Sequence, residues 1–289
     1  MRALVAFCAV VFFFAVPDGA GYLNASARVS VSPLLLLQQS APTPLQRRIE
    51  IERARLSSSD TEERREAVQR LGAMARPESS RAASVALRDA SPVVRATAAR
   101  AVLSLGSNDA ATLLVPLLRD KDEFVRREAA FALGLTRSQT ATHALAVALV
   151  GDKEASVRGA AAVALGQIAD PASVPVLSET LGRRIRASGL FARILRRRTE
   201  EDEFVRRSAA VALGRIGSRE GVPALVAVLG NERAGDDVRR EAARALGLIG
   251  DPSAMPALRA VLTARDPHLS RIAFDALRRL DPASVARPA

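Results

Sequence analysis

Apolar residues recur along most of this chain at the spacing of an amphipathic helix, most clearly between Asp236 and Leu262. One face of a predicted first helix carries Val238, Ala242, Ala243 and Leu246. Gly247 and Gly250 are predicted to end that helix, because glycine accepts the left-handed conformation of a helix C-terminus. Asp251-Pro252 predicts the start of a second helix, with Asp as N-cap and Pro in the first turn. The apolar face of this second helix carries Leu258, Val261 and Leu262, so the stretch predicts one helical hairpin.

Imperfect copies of this hairpin fill the chain from about residue 60 onward. Aligned on the first arginine of the VRR motif, they begin at Arg64, Arg95, Arg126, Arg158, Arg206, Arg239 and Arg271. Their spacings are 31, 31, 32, 48, 33 and 32 residues, and the hexapeptide DEFVRR occurs twice, at 122–127 and 202–207. A period in the low thirties with two helices per unit predicts an all-α fold, an α-solenoid (α/α superhelix) of about seven helical hairpins.

The repeated units resemble the short HEAT-like repeat of bacterial proteins that is named after phycobilin lyases, over roughly residues 60 to 281. The resemblance implies a ladder between neighbouring units, built from an acid in the inter-repeat turn and an arginine six residues later. Residues at this spacing are Asp89 and Arg95, Asp120 and Arg126, and Asp152 and Arg158. Glu200 and Arg206 keep the spacing with Glu, whereas Arg239 has Arg233 in place of the acid. We therefore expect a ladder that is regular at first and looser after residue 200.

The N-terminus has the pattern of a secretory signal peptide over residues 1–27. An apolar run from Ala3 to Val16 is too short to span a bilayer, and Ala25-Ser26-Ala27 offers a small-residue cleavage site. Cleavage predicts a secreted or periplasmic protein, and an uncleaved segment predicts a membrane-anchored one. Residues 28–42 are predicted to be a disordered linker. Since the only cysteine, Cys8, lies in the apolar run, the mature chain is predicted to have no thiol.

The predicted solenoid covers residues 43–281, with a capping helix at 43–56 and repeats from residue 60, followed by a tail at 282–289. Its departure from the period is a basic insertion at 182–201, which has seven arginines and no acid between residues 182 and 198. We expect part of it to bind a partner through Arg183, Arg184, Arg186, Arg193, Arg196 and Arg197. The partner is expected to be an acidic protein or an anionic membrane surface. The alternative is that the insertion is only a solvated, packed or disordered excursion.

Catalytic, metal-binding and cofactor-binding residues are not predicted. His143 and His268 lie in different repeats without an acidic neighbour placed to form a ligand pair. The His-Glu pairs of HEAT-type iron hydroxylases of the deoxyhypusine class do not occur in the sequence, so that activity is not carried over. The mature chain keeps five phenylalanines, of which Phe124, Phe131, Phe204 and Phe274 are predicted to lie in the core of first helices. So few aromatic residues disfavour binding of single-stranded nucleic acid.

The net charge of +11 favours acidic partners through long-range attraction. These observations favour an exported, non-enzymatic HEAT-repeat scaffold that mediates protein–protein interaction. The alternative from another class is an intracellular HEAT-like protein that binds nucleic acid through a basic face, which the signal peptide argues against. A third interpretation is a HEAT subunit associated with a lyase or an oxidoreductase, whose partner would supply the chemistry.

Overall fold

The structure is a computed structural model that describes residues 42–186 and 198–282. Within them the chain forms α1 (Pro44–Arg55), which precedes the repeats, and then a succession of helical pairs. The first helices of the units are α2 (Thr61–Ala73), α4 (Pro92–Ala101), α6 (Glu123–Thr136), α8 (Ala155–Ile168), α10 (Glu203–Ile216), α12 (Asp236–Ile249) and α14 (Pro267–Leu280). The second helices are α3 (Pro77–Ala83), α5 (Ser107–Leu114), α7 (Thr142–Gly151), α9 (Val174–Gly182), α11 (Val222–Leu229) and α13 (Met255–Ala260). The predicted all-α solenoid is confirmed, with six complete pairs and a seventh first helix in the described part of the chain.

Four of the seven first helices in the described residues begin after an aspartate that satisfies a free N–H group of the first turn. Asp60, Asp122, Asp202 and Asp266 each accept a hydrogen bond from the backbone N–H two residues later. Four first helices end at a residue in the left-handed conformation: Arg137, Ala169, Gly217 and Gly250. Asp251-Pro252 starts a short 3₁₀ turn over Pro252–Ala254 rather than the second helix itself, which begins at Met255.

The prediction that Gly247 ends a helix is wrong. Gly247 is buried inside α12, and a β-carbon built on it would lie 2.7 Å from the Ala276 Cβ of α14. Glycines at the equivalent position of other units meet an alanine of the next first helix in the same way: Gly72 with Ala101, Gly134 with Ala164, Gly166 with Ala212, and Gly214 with Ala245. These glycines therefore allow neighbouring first helices to approach closely, a requirement that the sequence of a single helix does not reveal.

The core lies between the layer of first helices and the layer of second helices. All four residues predicted for the apolar face of α12, from Val238 to Leu246, are buried. So are Leu258 and Val261 after the turn, whereas Leu262 is only partly buried. Each unit buries leucines against its neighbours as well as within itself, so the core runs continuously along the stack.

Two of the four phenylalanines predicted to be core are not buried. Phe124 and Phe204 begin the two DEFVRR helices, and 39% and 40% of their surfaces are exposed. Phe131 and Phe274 are half-buried. Phe124 and Phe204 are apolar enough for a core position. Their place in the first turn of the helix, however, directs them to the outer surface of the first-helix layer.

The basic insertion begins and ends in a short antiparallel pair of strands, β1 (Arg184–Arg186) and β2 (Arg198–Glu200). Arg184 lies opposite Glu200, and Arg186 lies opposite Arg198. The insertion therefore leaves and re-enters the solenoid at one place. Three of the predicted partner-binding residues, Arg193, Arg196 and Arg197, lie outside the described residues, as do the predicted signal peptide, residues 28–41 of the predicted linker and residues 283–289 of the tail. No helix in the described part of the chain is both long enough and apolar enough to cross a membrane.

Candidate functional site: the exposed face of the first helices

The first arginine of each regular VR motif connects three consecutive units. Arg95 donates two hydrogen bonds to Asp120 of the next unit, with Nε–Oδ2 and Nη2–Oδ1 distances of 2.8 and 2.7 Å. Its Nη1 donates to the backbone carbonyls of Asp89 and Ala90, in the turn that precedes its own helix. Arg64 with Asp89 and Arg126 with Asp152 repeat this arrangement. Each arginine therefore pairs with the acid of the following unit, and it bonds only the backbone of the acid six residues before it.

The insertion preserves this ladder by a change of acid. Arg158 pairs with Glu201, at 3.1 Å from Nε to Oε2 and 2.6 Å from Nη2 to Oε1, although 43 residues separate the two along the chain. The Glu201 side chain is fully buried. Glu200 pairs with Arg206, six residues later in its own unit, as the spacing predicts. The glutamate doublet thus supplies two partners where the regular turns supply one.

Arg183, predicted to support partner binding, is part of this internal network. Its guanidinium donates to the backbone carbonyls of Leu149 and Val150, and it lies 3.6 Å from Glu201. These contacts use its donors within the fold, and its predicted part in partner binding stays a prediction. Arg184 also has a polar or electrostatic partner. Three of the six predicted arginines, Arg183, Arg184 and Arg186, lie in the described residues, at the base of the insertion.

The acids of the ladder respond to the arginines that they bind. The hydrogen bonds from Arg64 lower the pKa of Asp89, and those from Arg240 lower the pKa of Asp266. In the same pair, the hydrogen bond to Asp266 raises the pKa of Arg240. Both groups of each pair are therefore charged at neutral pH.

The last unit is shifted by one residue from the sequence alignment. Ser270, not Arg271, takes the position of the first arginine, because its hydroxyl donates to the Leu262 carbonyl as Arg239 Nε donates to the Leu229 carbonyl. Ala276 of the same helix then falls in register against Gly247. Arg271 corresponds to the second arginine of VRR, which a search for the first arginine could not distinguish.

The second arginine of VRR lies on the exposed surface of the first-helix layer. Arg65, Arg127, Arg207, Arg240 and Arg271 occupy this position, while two units have a small residue there, Ala96 and Gly159. Arg127 and Arg207 are 37% and 45% exposed, and each has one carboxylate at 3.8 Å, Glu128 and Asp237 respectively. We name this surface the first-helix face. Sequence reasoning missed it because both arginines of the motif look alike in the sequence.

The two DEFVRR copies place a phenylalanine and an arginine next to each small residue. Phe204 packs directly on Gly159, where a β-carbon would lie only 2.0 Å from its Cε1 atom. Phe124, with Val93 and Ala96, lines a groove of 590 Å³ over α2, α4 and α6. The Arg127 guanidinium lies over the Phe124 ring, 5.1 Å from its centre, a distance typical of a cation–π contact.

The two histidines are not brought together. His143 is exposed on α7 of the second-helix layer, and His268 is exposed on α14 of the first. In the described residues, no group of three or more His, Cys, Asp or Glu side chains could hold a metal ion.

Comparison with known proteins identifies the repeat. Residues 52–134, 113–192 and 232–288 match the family model of HEAT repeats, and residues 205–231 match that of the PBS lyase HEAT-like repeat. The sequence matches none of the curated proteins with which it was compared.

Three solved structures are similar to this chain. An engineered protein is 26% identical, with a TM-score of 0.50 over 80% of this chain and 68% of its own. The complex of CpcE and CpcF of phycocyanin lyase from Nostoc sp. PCC7120 gives 25% identity and a TM-score of 0.48, over 83% of this chain and 90% of that one. Human deoxyhypusine hydroxylase in complex with glycerol is 21% identical, with a TM-score of 0.39 over 82% of this chain and 96% of that one.

Proposed function

The chain belongs to the family of HEAT repeat proteins, and from this premise we propose that it is an exported scaffold that binds another protein and performs no catalysis itself. The observation that carries the proposal is that the two arginines of VRR make different contacts. In the regular units the first arginine is used inside the ladder, whereas the second arginines Arg127 and Arg207 lie with Phe124 and Phe204 on the first-helix face. Exposed aromatic and arginine side chains are enriched in protein–protein interfaces.

A protein partner fits this face better than nucleic acid does. Its arginines alternate with acids: Asp237 and Glu241 lie beside Arg240 and Arg244, and Asp275 lies near Arg271. A duplex would bring its phosphates close to these carboxylates, and like charges repel. A protein segment can instead place single acidic groups against single arginines.

The insertion adds a long-range component to this proposal. Seven arginines between residues 182 and 198 supply most of the net charge of +11. We propose that Arg193, Arg196 and Arg197 attract the acidic partner, with Arg186 in support, and that this attraction weakens with salt. An anionic membrane surface could supply the negative charge in place of the acidic protein.

The test of the insertion removes residues 187–197 and joins Arg186 to Arg198 through Asn-Gly. This two-residue turn suits an antiparallel pair of strands, and Arg186 and Arg198 already face each other. The shortened chain keeps Arg183 and Glu201 and is expected to melt near the wild-type temperature. We expect slower association with the partner at low salt and little difference at high salt. Equal association at low salt, on the partner and on anionic vesicles, would remove the insertion from the proposal.

Export is tested separately by mass spectrometry of the native N-terminus. Removal of residues 1–27 would give a mature chain that begins at Arg28 and lies outside the cytosol. An intact Met1 in the cytosolic fraction would leave the scaffold proposal standing and remove export.

A further inference from the structure

The exact duplication of DEFVRR has a structural counterpart. Phe124 with Arg127 on α6, and Phe204 with Arg207 on α10, occupy equivalent positions of the first-helix face, and Arg127 lies over its ring. In each pair the phenylalanine is about two-fifths exposed. We call these pairs the two clamps. Their identical sequences place them at the same positions of helices that lie two units apart.

The helix between the clamps, α8, is different from its neighbours. Its sequence, ASVRGAAAVALGQI, has a single charged residue, Arg158, which is buried in the ladder. Ser156, Val163 and Gln167 of α8 are half-buried, Gly159 is buried beneath the Phe204 ring, and none of the four is charged. The surface of α8 between the clamps, which we call the α8 floor, therefore carries no charge.

The arginines of the clamps have hydrogen-bonding capacity that the fold leaves unused. Arg126 and Arg206, the adjacent first arginines, hydrogen-bond through their guanidinium groups within the protein. Arg127 and Arg207 have carboxylates only at 3.8 Å, too far for a hydrogen bond, although a guanidinium has five N–H donors. Each can bind a carboxylate in a bidentate manner while the neighbouring ring covers an apolar side chain.

We propose that the two clamps form one docking site for an acidic segment of a partner protein. The segment would place one carboxylate on Arg127, one on Arg207, and an uncharged or apolar side chain on the α8 floor between them. Neighbouring helices pack 8–10 Å apart, so the two carboxylates would lie roughly 16–20 Å apart. An extended segment spans this distance in about five or six residues. The inference rests on the proposed scaffold function and assigns its binding surface and the chemistry of its partner.

The experiment is selection of a random 16-residue peptide library, displayed on phage, against the full chain. We expect enriched peptides to carry two acidic residues about five or six positions apart with an apolar residue between them. Their binding is then measured to three variants: Arg127→Gln with Arg207→Gln; Gly159→Ala; and, as the control, Arg81→Gln with Arg119→Gln. The control removes the same two charges from exposed positions outside the first-helix face.

The double substitution in the clamps should weaken binding on the order of 100-fold, since two charge-assisted contacts are lost. The control should change it by less than about threefold. Gly159→Ala keeps the charges and improves helix propensity, but it must displace the Phe204 ring from its place. We expect a folded protein with weakened binding, which separates the clamp geometry from charge alone.

Other outcomes overturn the proposal. Enriched peptides that bind the clamp variant as well as the wild type would place the site elsewhere and leave the scaffold function intact. A consensus without the two acidic residues would also reject the clamps. Failure to enrich any peptide on any variant would count against the clamps and the scaffold function together, as would self-association of the chain through this face.

Discussion

The regular and the irregular parts of the stack differ in how each unit binds the next. From α2 to α8 the first arginine donates forward to a carboxylate of the following unit, as Arg95 does to Asp120. From α10 onward this forward pair is missing: Arg206 and Arg239 donate instead to the carbonyls of Leu181 and Leu229. In the unit of Arg239, it is the next residue, Arg240, that pairs with Asp266 of the following unit.

The comparison shows which contact the fold retains. In both parts the residue at this position donates to carbonyls at or just after the end of the preceding second helix, and Ser270 still does so with a short side chain. The last carbonyls of a helix have no partner within that helix, and leaving them buried and unpaired is unfavourable. The backward contact therefore satisfies a general need of each unit, while the forward ion pair is an addition that the C-terminal part does without.

The largest effect is expected from removing a forward ion pair, in which a first arginine binds a carboxylate of the following unit. Arg126→Ala leaves the Asp152 carboxylate buried without its partner, since both side chains are less than 10% exposed. We expect a loss of about 3–5 kcal/mol in the free energy of unfolding. The matched change, Arg239→Ala, removes only a bond to a carbonyl and should lose about 1 kcal/mol. Urea denaturation of both variants measures the difference, and equal losses would contradict the distinction between the two parts.

A smaller effect is expected from separating two first helices. In Gly166→Ala the new methyl group would lie 2.7 Å from Ala212 Cα, which is backbone that cannot easily move aside. We expect about 1–3 kcal/mol of destabilisation, in spite of the better helix propensity of alanine. The control is Gly151→Ala, at the open end of α7, where nothing lies within 4 Å and a neutral or slightly stabilising change is expected. Thermal melting of both distinguishes close packing from a general effect of glycine replacement.

The forward pairs also predict a dependence on pH. The lowered pKa of Asp89 means that its contribution is present above the unfolded-state value of about 4 and is lost as pH falls toward the folded-state value. The stability difference between wild type and Asp89→Asn should therefore be constant near neutral pH and shrink below about pH 4. Denaturation midpoints at several pH values measure it. A difference that persists unchanged at pH 2 would show that it does not arise from the ionisation of Asp89.

The smallest effect is expected from restoring a missing forward ion pair. Arg233→Asp places an acid six residues before Arg239, where regular units have one, and offers Arg206 a forward partner. Residue 233 is exposed and its turn is longer than those of the regular units, so we expect at most about 1 kcal/mol of stabilisation. A double-mutant cycle with Arg206→Ala separates a new pair from a simple change of surface charge.

The sequence by itself determined the repeat, its two-helix unit and the buried apolar face of α12. These features depend on local periodicity and capping, which are encoded in neighbouring residues. It also indicated that the acids and the first arginines would form a ladder that loosens after residue 200.

Only the tertiary structure decided which acid each arginine binds. Arg158 pairs with Glu201 across 43 residues, and no spacing within one unit specifies that choice. It also decided that Gly247 separates two helices instead of ending one, that Phe124 and Phe204 are exposed, and that Arg183 is an internal contact. Each depends on the side chains that a neighbouring unit brings to the same place, because in a solenoid the surroundings of a residue are completed by the next copy.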